Sequence, residues 1–323
     1  MTIYVGGKQV IDGAITPGNI AEFIVYVNQL TFPVTMLGWV TTLIQRAAAS
    51  QQRINEFLQL QPEIISTNTE SPEIQGNISF KAVNFTYPDT GIEALKNISF
   101  EIESGQFLAI IGRTGSGKST LANLLMRMYD IDSGSIEIDG VALKNLNLNH
   151  YRNQVGFVPQ EVFLFSDTIK NNIAFGLSTV LPGQVEKAAQ DAAVYENIMA
   201  FDLKFETMLG ERGITLSGGQ KQRVSIARAL IKSPKILIFD DSLSAVDTKT
   251  EEEILHNLTQ IMTGKTSIII AHRISTIKNA DKIIVLDQGQ LVEQGTHNEL
   301  ILAGGAYAEM YNHQLLEQEI QTS

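Results

Sequence analysis

The sequence predicts an α/β protein with an inserted helical subdomain, preceded by one helix long and apolar enough to span a membrane. Three observations carry this. From residue 77 onward short apolar strands alternate with helical runs, and a glycine-rich loop, GRTGSGKS, joins one such strand to a leucine-rich helix. Residues 23–45 carry no charge. Uninterrupted apolar strands between helices are what a sheet buried on both faces requires.

Composition narrows the class further. The chain has 323 residues, 44% of them hydrophobic and 18% charged, which excludes a disordered or collagen-like polymer and suits one good-sized domain with an appendage, or two small domains. Asp and Glu outnumber Lys and Arg by 35 to 24, a net charge of -11. That balance argues against nucleic acid as a partner, since such binding draws on basic contacts to phosphate. With no cysteine there is no disulfide framework, thiolate metal site or cysteine nucleophile. Five histidines leave little room for a histidine-rich metal site.

Taken in order, the first 18 residues carry Lys8 and Asp12 among glycines and lack the continuous apolar core of a secretory signal. Residues 23–45 extend about 34 Å as a helix, against about 30 Å for a hydrocarbon layer. Asn28, Gln29, Thr31, Thr35, Thr41 and Thr42 are polar and Pro33 lacks an N–H, so the span fits a helix facing other helices or a water-filled path. A buried helix of a soluble protein is the alternative. Glu22 precedes the stretch and Arg46 and Arg53 follow it, placing its C-terminal side in the cytosol. Helical spacing of Ile54, Phe57 and Leu58 continues to Pro62, and residues 62–72 have the Pro, Ser, Thr, Asn and Glu composition of a connector. The division is therefore residues 1–60 with one span at about 20–45, a linker at 61–76, a main domain at 77–317 and a tail at 318–323. Within the main domain strands are expected at 78–85, 98–102, 107–111, 135–138, 236–239, 267–270 and 282–286. Helices are expected at 119–128, through much of 169–230 and at the C-terminus. No internal repeat is present.

Gly112-Arg113-Thr114-Gly115-Ser116-Gly117-Lys118-Ser119 fits the phosphate-loop pattern in the strand–loop–helix context that it needs. Its glycines let backbone N–H groups approach phosphate, and the following helix, entered through Ser119 and Thr120, favours anions at its N-terminus. Lys118 reaches the outer phosphates and the Ser119 hydroxyl suits Mg²⁺. The strand 236–239 ends in Asp240 and Asp241, which puts one acid on the metal or its water and a second near an attacking water. Two aspartates capping a turn is the plainer alternative. Leu216-Ser217-Gly218-Gly219-Gln220 opens a helical run, 221–230. It reads either as a second anion site at a helix N-terminus or as an ordinary N-cap.

In this order the three motifs resemble those of an ATP-binding cassette, over the chain from about residue 78 to its end. The resemblance implies a P-loop NTPase cassette: a RecA-like core, an antiparallel β-subdomain and an inserted α-helical subdomain, with ATP and Mg²⁺ as cofactors. It further implies that Tyr87 stacks on adenine, that Ser119, Gln160 and Asp240 hold Mg²⁺, and that His272 contacts the γ-phosphate. Residues 244–247 resemble the loop that touches a partner cassette. Family cassettes pair head to tail, each ATP lying between one phosphate loop and the Ser217–Gln220 region of the other subunit. Residues 207–213 are similar to the segment with which exporter cassettes meet the membrane domain, and residues 6–18 and 49–54 look like the end of such a domain. The chain thus resembles a membrane exporter subunit, with lipid around its span and the cassette on the cytosolic side. Such subunits carry about six membrane helices, so the resemblance implies a C-terminal fragment whose remaining helices are among its partners. The transported substrate is not named by any motif.

At one position the chain departs from the pattern. Where the family usually has glutamate after the acid-ended strand, this chain has Asp241, one methylene shorter and so about 1.5 Å further from its target. Placement of a general base is worth about 10²- to 10⁴-fold in rate, so slow hydrolysis is expected at this chain's own site. Together with its intact Leu216–Gln220 motif, this resembles the degenerate-site subunit of a heterodimeric exporter. The alternatives are a homodimer in which Asp241 works, and a soluble cassette ATPase that acts as a mechanical clamp.

Overall fold

The computed structural model describes residues 1–66, 71–210, 216–241 and 259–322. The chain divides into two units, Met1–Glu63 and Ile64–Ser323.

The first unit holds α1 (Thr2–Ile11) and α2 (Pro17–Gln59). Pro17, with its fixed φ, occupies the first helical position of α2, and Asn19 Oδ1 accepts the Thr16 N–H at 3.0 Å, which closes the helix start. The 43 residues of α2 extend about 65 Å, roughly twice a hydrocarbon layer. An 18-residue window within it has mean hydropathy 1.3, and none of its residues is buried. The helix runs through Pro33, which gives up the bond that another residue would make to the Gln29 carbonyl. The hydroxyls of Thr31, Thr35, Thr41 and Thr42 donate to the carbonyls of Val27, Thr31, Leu37 and Gly38 at 2.8 to 3.0 Å. Four of the six polar groups that suggested a polar path thus turn onto their own helix.

In the second unit the described strands are β1 (Ile78–Thr86), β2 (Glu93–Ile102), β3 (Phe107–Gly112), β4 (Ser133–Ile138), β5 (Val141–Ala142), β6 (Val155–Val158), β7 (Ile236–Asp240), β8 (Thr266–Ile270), β9 (Lys282–Asp287) and β10 (Gln290–Gly295). The described helices are α3 (Lys118–Leu125), α4 (Leu148–Asn153), α5 (Ile169–Ala174), α6 (Gln184–Asp191), α7 (Tyr195–Met199), α8 (Gly218–Leu230), α9 (Ile274–Ile277), α10 (His297–Ala303) and α11 (Ala306–Thr322). An antiparallel sheet has the order β2-β1-β4-β5, and a six-stranded sheet the order β10-β9-β3-β8-β7-β6. The larger sheet is parallel except for its edge strand β10.

Alternation along β3 shows why its run is apolar throughout. Leu108 and Ile110 enter a core shared with Phe80 of β1 and with Leu121 and Leu124 of α3. Ala109 and Ile111 enter the opposite core, with Val224 and Ala227 of α8 and Tyr307 of α11. Both faces are covered, as the sequence pattern requires.

Most expected strands lie within two residues of the observed ones. The second strand begins five residues earlier, at Glu93, because β2 pairs with β1 up to its exposed turn. The helix expected to reach residue 128 ends at Leu125, where Arg127 turns to a positive φ of 47°. The strands β5, β6 and β10 are additions: β5 and β6 span two and four residues, and β10 alternates exposed and half-buried positions on a sheet edge. β5 and β10 carry no apolar run long enough to stand out, and the run of β6 is broken by Gly156.

Candidate active site

The motifs converge at the carboxyl ends of the parallel strands, where ligands of such sheets bind. β3 runs into the phosphate loop, β6 leads to Gln160, β7 ends at Asp240 and β8 leads to His272. Together they line a cleft of about 520 Å³ with Tyr87, Thr114, Gly115, Gly117, Lys118, Ser119, Thr120, Asp240 and Asp241.

The loop needs its glycines. A side chain at Gly112 would run into the Leu286 carbonyl. Gly117 has φ 99° and caps α3 without a side-chain bond, so the amides at the helix start face the cleft uncovered by any side chain of the cap. The Lys118 ammonium bends back over the loop, donating to the Gly112 carbonyl at 2.8 Å and the Arg113 carbonyl at 3.0 Å. Burial pulls it below the ordinary lysine range, against the opposing pull of the Asp241 and Asp240 carboxylates. The buried Ser116 hydroxyl has no hydrogen-bond partner among the described residues, as fits a loop built to meet a ligand's acceptors.

Ser119 Oγ donates to Asp240 Oδ1 at 3.0 Å. Burial pushes the Asp240 carboxyl above the usual carboxylate range, and neighbouring Asp241 adds to this. The bond from Ser119 and the charges of Lys118 and His272 oppose it. A buried carboxylate beside a hydroxyl, with the Gln160 amide in the same cleft, is an oxygen donor set that fits a hard divalent cation. Among the described residues no group of three His, Asp or Glu side chains gathers to hold a metal. Mg²⁺ does not need one, because it takes one or two protein oxygens and completes its shell with phosphate and water.

Asp241 stands directly after β7 with φ 44°, its N–H bonded to the Ile270 carbonyl at 2.9 Å. Gln160 Nε2 donates to its Oδ2 at 3.3 Å, and His272 Nε2 lies 3.8 Å from the same oxygen. Tyr87 holds its ring edge-on to Phe85 and Tyr129 and its hydroxyl 3.1 Å from Thr120 Oγ1.

The Ser217–Gln220 segment does not line this cleft. It opens α8 as a capping box: Ser217 Oγ accepts the Gln220 N–H at 3.3 Å, and Gln220 Oε1 accepts the Ser217 N–H at 3.0 Å. Of residues 207–213, Met208 pairs with Thr168 and Leu209 N–H bonds to the Asp167 carbonyl, while Glu211, Arg212 and Gly213 lie outside the described residues. So does the whole of 244–247.

Sequence reasoning missed Ile92, Glu93, Lys96, Gln288 and Gly289, which also line the cleft. The β9–β10 turn reaches it because Gly289 N–H bonds to the Ser116 carbonyl at 3.2 Å and Lys96 N–H bonds to the Gly289 carbonyl at 2.8 Å. The Gln288-Gly289 pair signals a hairpin turn. Nothing local says where that turn docks.

Comparison with known proteins gives the following. The family described as ABC transporter matches residues 95–244. The multidrug resistance-like ATP-binding protein MdlA of Escherichia coli (strain K12) is 41% identical over 312 residues, 97% of this chain and 53% of that protein. An ATP-dependent lipid A-core flippase of Pseudomonas fluorescens (strain Pf0-1) is 43% identical over 299 residues, 92% of this chain and 50% of the flippase. The solved structure of a bacterial Atm1-family ABC exporter with ATP bound is similar with a TM-score of 0.80 at 40% identity, covering 94% of this chain and 53% of that one. The chain spans about half the length of the curated relatives it matches.

Proposed function

Residues 95–244 match the family described as ABC transporter, and from that match we propose that the chain is the ATP-binding part of an exporter, coupling ATP binding and hydrolysis to movement of a substrate across a membrane. The observation that carries this reading is the one cleft that gathers phosphate loop, Asp240, Asp241, Gln160 and His272 but not Ser217–Gln220. A site short of one anion-binding element is what a head-to-tail pair of cassettes completes, with Ser217–Gln220 of each subunit serving the other's nucleotide.

In this reading Tyr87 stacks on the adenine, and Lys118 and the loop amides hold the β- and γ-phosphates. To do so the ammonium exchanges its bonds to the Gly112 and Arg113 carbonyls for phosphate oxygens. Ser119, Asp240 and Gln160 hold Mg²⁺, which when bound neutralises charge on the phosphate oxygens. His272 donates toward the γ-phosphate. Asp241 orients and deprotonates the attacking water, from a position one methylene behind that of a glutamate. Its carboxylate is already engaged by Gln160, which adds to the reasons for a slow own site and for a partner cassette that carries the faster one. His272 Nε2, 3.8 Å from the Asp241 carboxylate, favours, as a second reading, a homodimer in which Asp241 is a working base. α2 spans the membrane with the cassette on the cytosolic side, and the names of the relatives bring drugs and lipids to the front as substrates to test.

The test is Mg-ATP hydrolysis by the chain and by Asp241→Glu at concentrations that allow pairing. The expected result is slow turnover that glutamate raises about 10²-fold or more. Equal turnover in both proteins would favour the homodimer instead.

A further inference from the structure

One contact ties the cleft's histidine to the last helix of the chain. α11 begins under Glu293 of β10, whose carboxylate accepts the Ala306 N–H at 2.6 Å and the Tyr307 N–H at 3.1 Å. From there one helix face turns inward: Tyr307 is fully buried, and Met310 and Tyr311 pack against the same core. Gln314 follows at the same three- and four-residue spacing. Its amide straddles the segment after β8, with Nε2 donating to the His272 carbonyl at 2.6 Å and Oε1 accepting the Ile274 N–H at 2.8 Å. A carboxamide offers donor and acceptor in one rigid plane, so the pair of bonds sets the direction of the backbone between them. The imidazole itself is 40% exposed, so packing does little to aim it and the pinned backbone does more.

We propose that Gln314 is a positioning residue, through which the C-terminal helix holds His272 toward the phosphate loop and so sets the preference of the site for ATP over ADP. This rests on the reading of His272 as the γ-phosphate contact. A histidine held in place beforehand loses less freedom on meeting that phosphate, and ADP has no γ-phosphate to meet.

The experiment measures Kd for Mg-ATP and Mg-ADP on the full chain by displacement of a fluorescent nucleotide. Wild type, Gln314→Leu, Gln314→Glu, His272→Ala and the His272→Ala/Gln314→Leu double variant are compared. Gln314→Leu is expected to lower the ATP-over-ADP preference about fivefold, in the direction of His272→Ala, and to add nothing when His272 is already absent. Gln314→Glu keeps the acceptor for Ile274 but faces the His272 carbonyl with an oxygen, and is expected to lose the preference with the fold intact. Equal weakening of both nucleotides, or an unchanged ratio in Gln314→Glu, would overturn the proposal. If His272→Ala keeps the preference, the γ-phosphate reading is what fails. The positional tie is then decided by the histidine ring NMR signal that His272→Ala removes. Movement of that signal in Gln314→Leu supports the tie, and an unmoved signal overturns it.

Discussion

Replacing Gly117 by alanine separates two physical costs that the phosphate loop imposes. The residue has φ 99°, and an added Cβ would stand 2.7 Å from the Ala94 carbonyl oxygen and 2.8 Å from Leu95 Cδ2. Ordinary contact begins at 3.4 Å, so the atom falls 0.7 Å short against backbone oxygen of β2, which cannot rotate aside. A left-handed backbone costs a non-glycine residue about 1–2 kcal/mol, and forced displacement of packed backbone costs about 1–3 kcal/mol more. At about 2 °C per kcal/mol for a domain of this size, Tm of the nucleotide-free chain should fall by about 4–10 °C. Gly115 isolates the first cost, since it has φ 80° with nothing among the described residues within 4 Å of its added Cβ. Gly115→Ala should lower Tm by only about 2–4 °C. In Gly117→Ala the start of α3 must move, carrying with it Lys118 and the Ser119 hydroxyl now 3.0 Å from Asp240. Because displacements approaching 1 Å cost about 10²-fold in function, ATP affinity should drop at least about tenfold. Thermal unfolding without nucleotide, followed by Mg-ATP titration, reads both effects. Equal Tm losses in the two variants would refute the steric part of the reasoning.

Two further outcomes test other parts of the structure. Thr266 is fully buried, donating to the Gly76 carbonyl at 2.7 Å and accepting the Gly105 N–H at 3.1 Å. Thr266→Val strands both groups at about 1–3 kcal/mol each, so Tm should fall by several degrees while ATP affinity stays at the wild-type value. Burial, aided by Tyr311, pushes the Tyr307 hydroxyl up to about 12. Because the folded chain then holds a proton that the unfolded chain releases from about pH 10, the contribution of Tyr307 to stability is constant below pH 10 and falls from there to about pH 12. Denaturant unfolding between pH 9 and 11.5 should show this fall, and Tyr307→Phe should make it shallower. An unchanged slope would show that the buried phenol does not drive the loss.

The sequence and the tertiary structure contribute differently to this protein. The phosphate loop, the acid-ended strand and the capped start of α8 are each contiguous, so their chemistry follows from a few adjacent residues and is legible without a fold. The buried parallel strands are legible for the same reason, because an uninterrupted apolar run such as 236–239 needs cover on both faces wherever it lies. The roles read for Tyr87, Gln160 and His272 came only from resemblance, since a lone tyrosine, glutamine or histidine carries no local signature. The weak edge strand β10 was invisible, because Gln290-Leu291-Val292-Glu293-Gln294-Gly295 does not alternate apolar with polar residues even though their exposure alternates. What folding alone decided are the contacts between distant segments: the Gly289 turn on the Ser116 carbonyl, Ser119 on Asp240 across 121 positions, and Gln314 on the two sides of Arg273. Each is a short hydrogen bond between groups whose nearness is set by the packing of whole elements on a shared core, and no pattern in the chain encodes that distance.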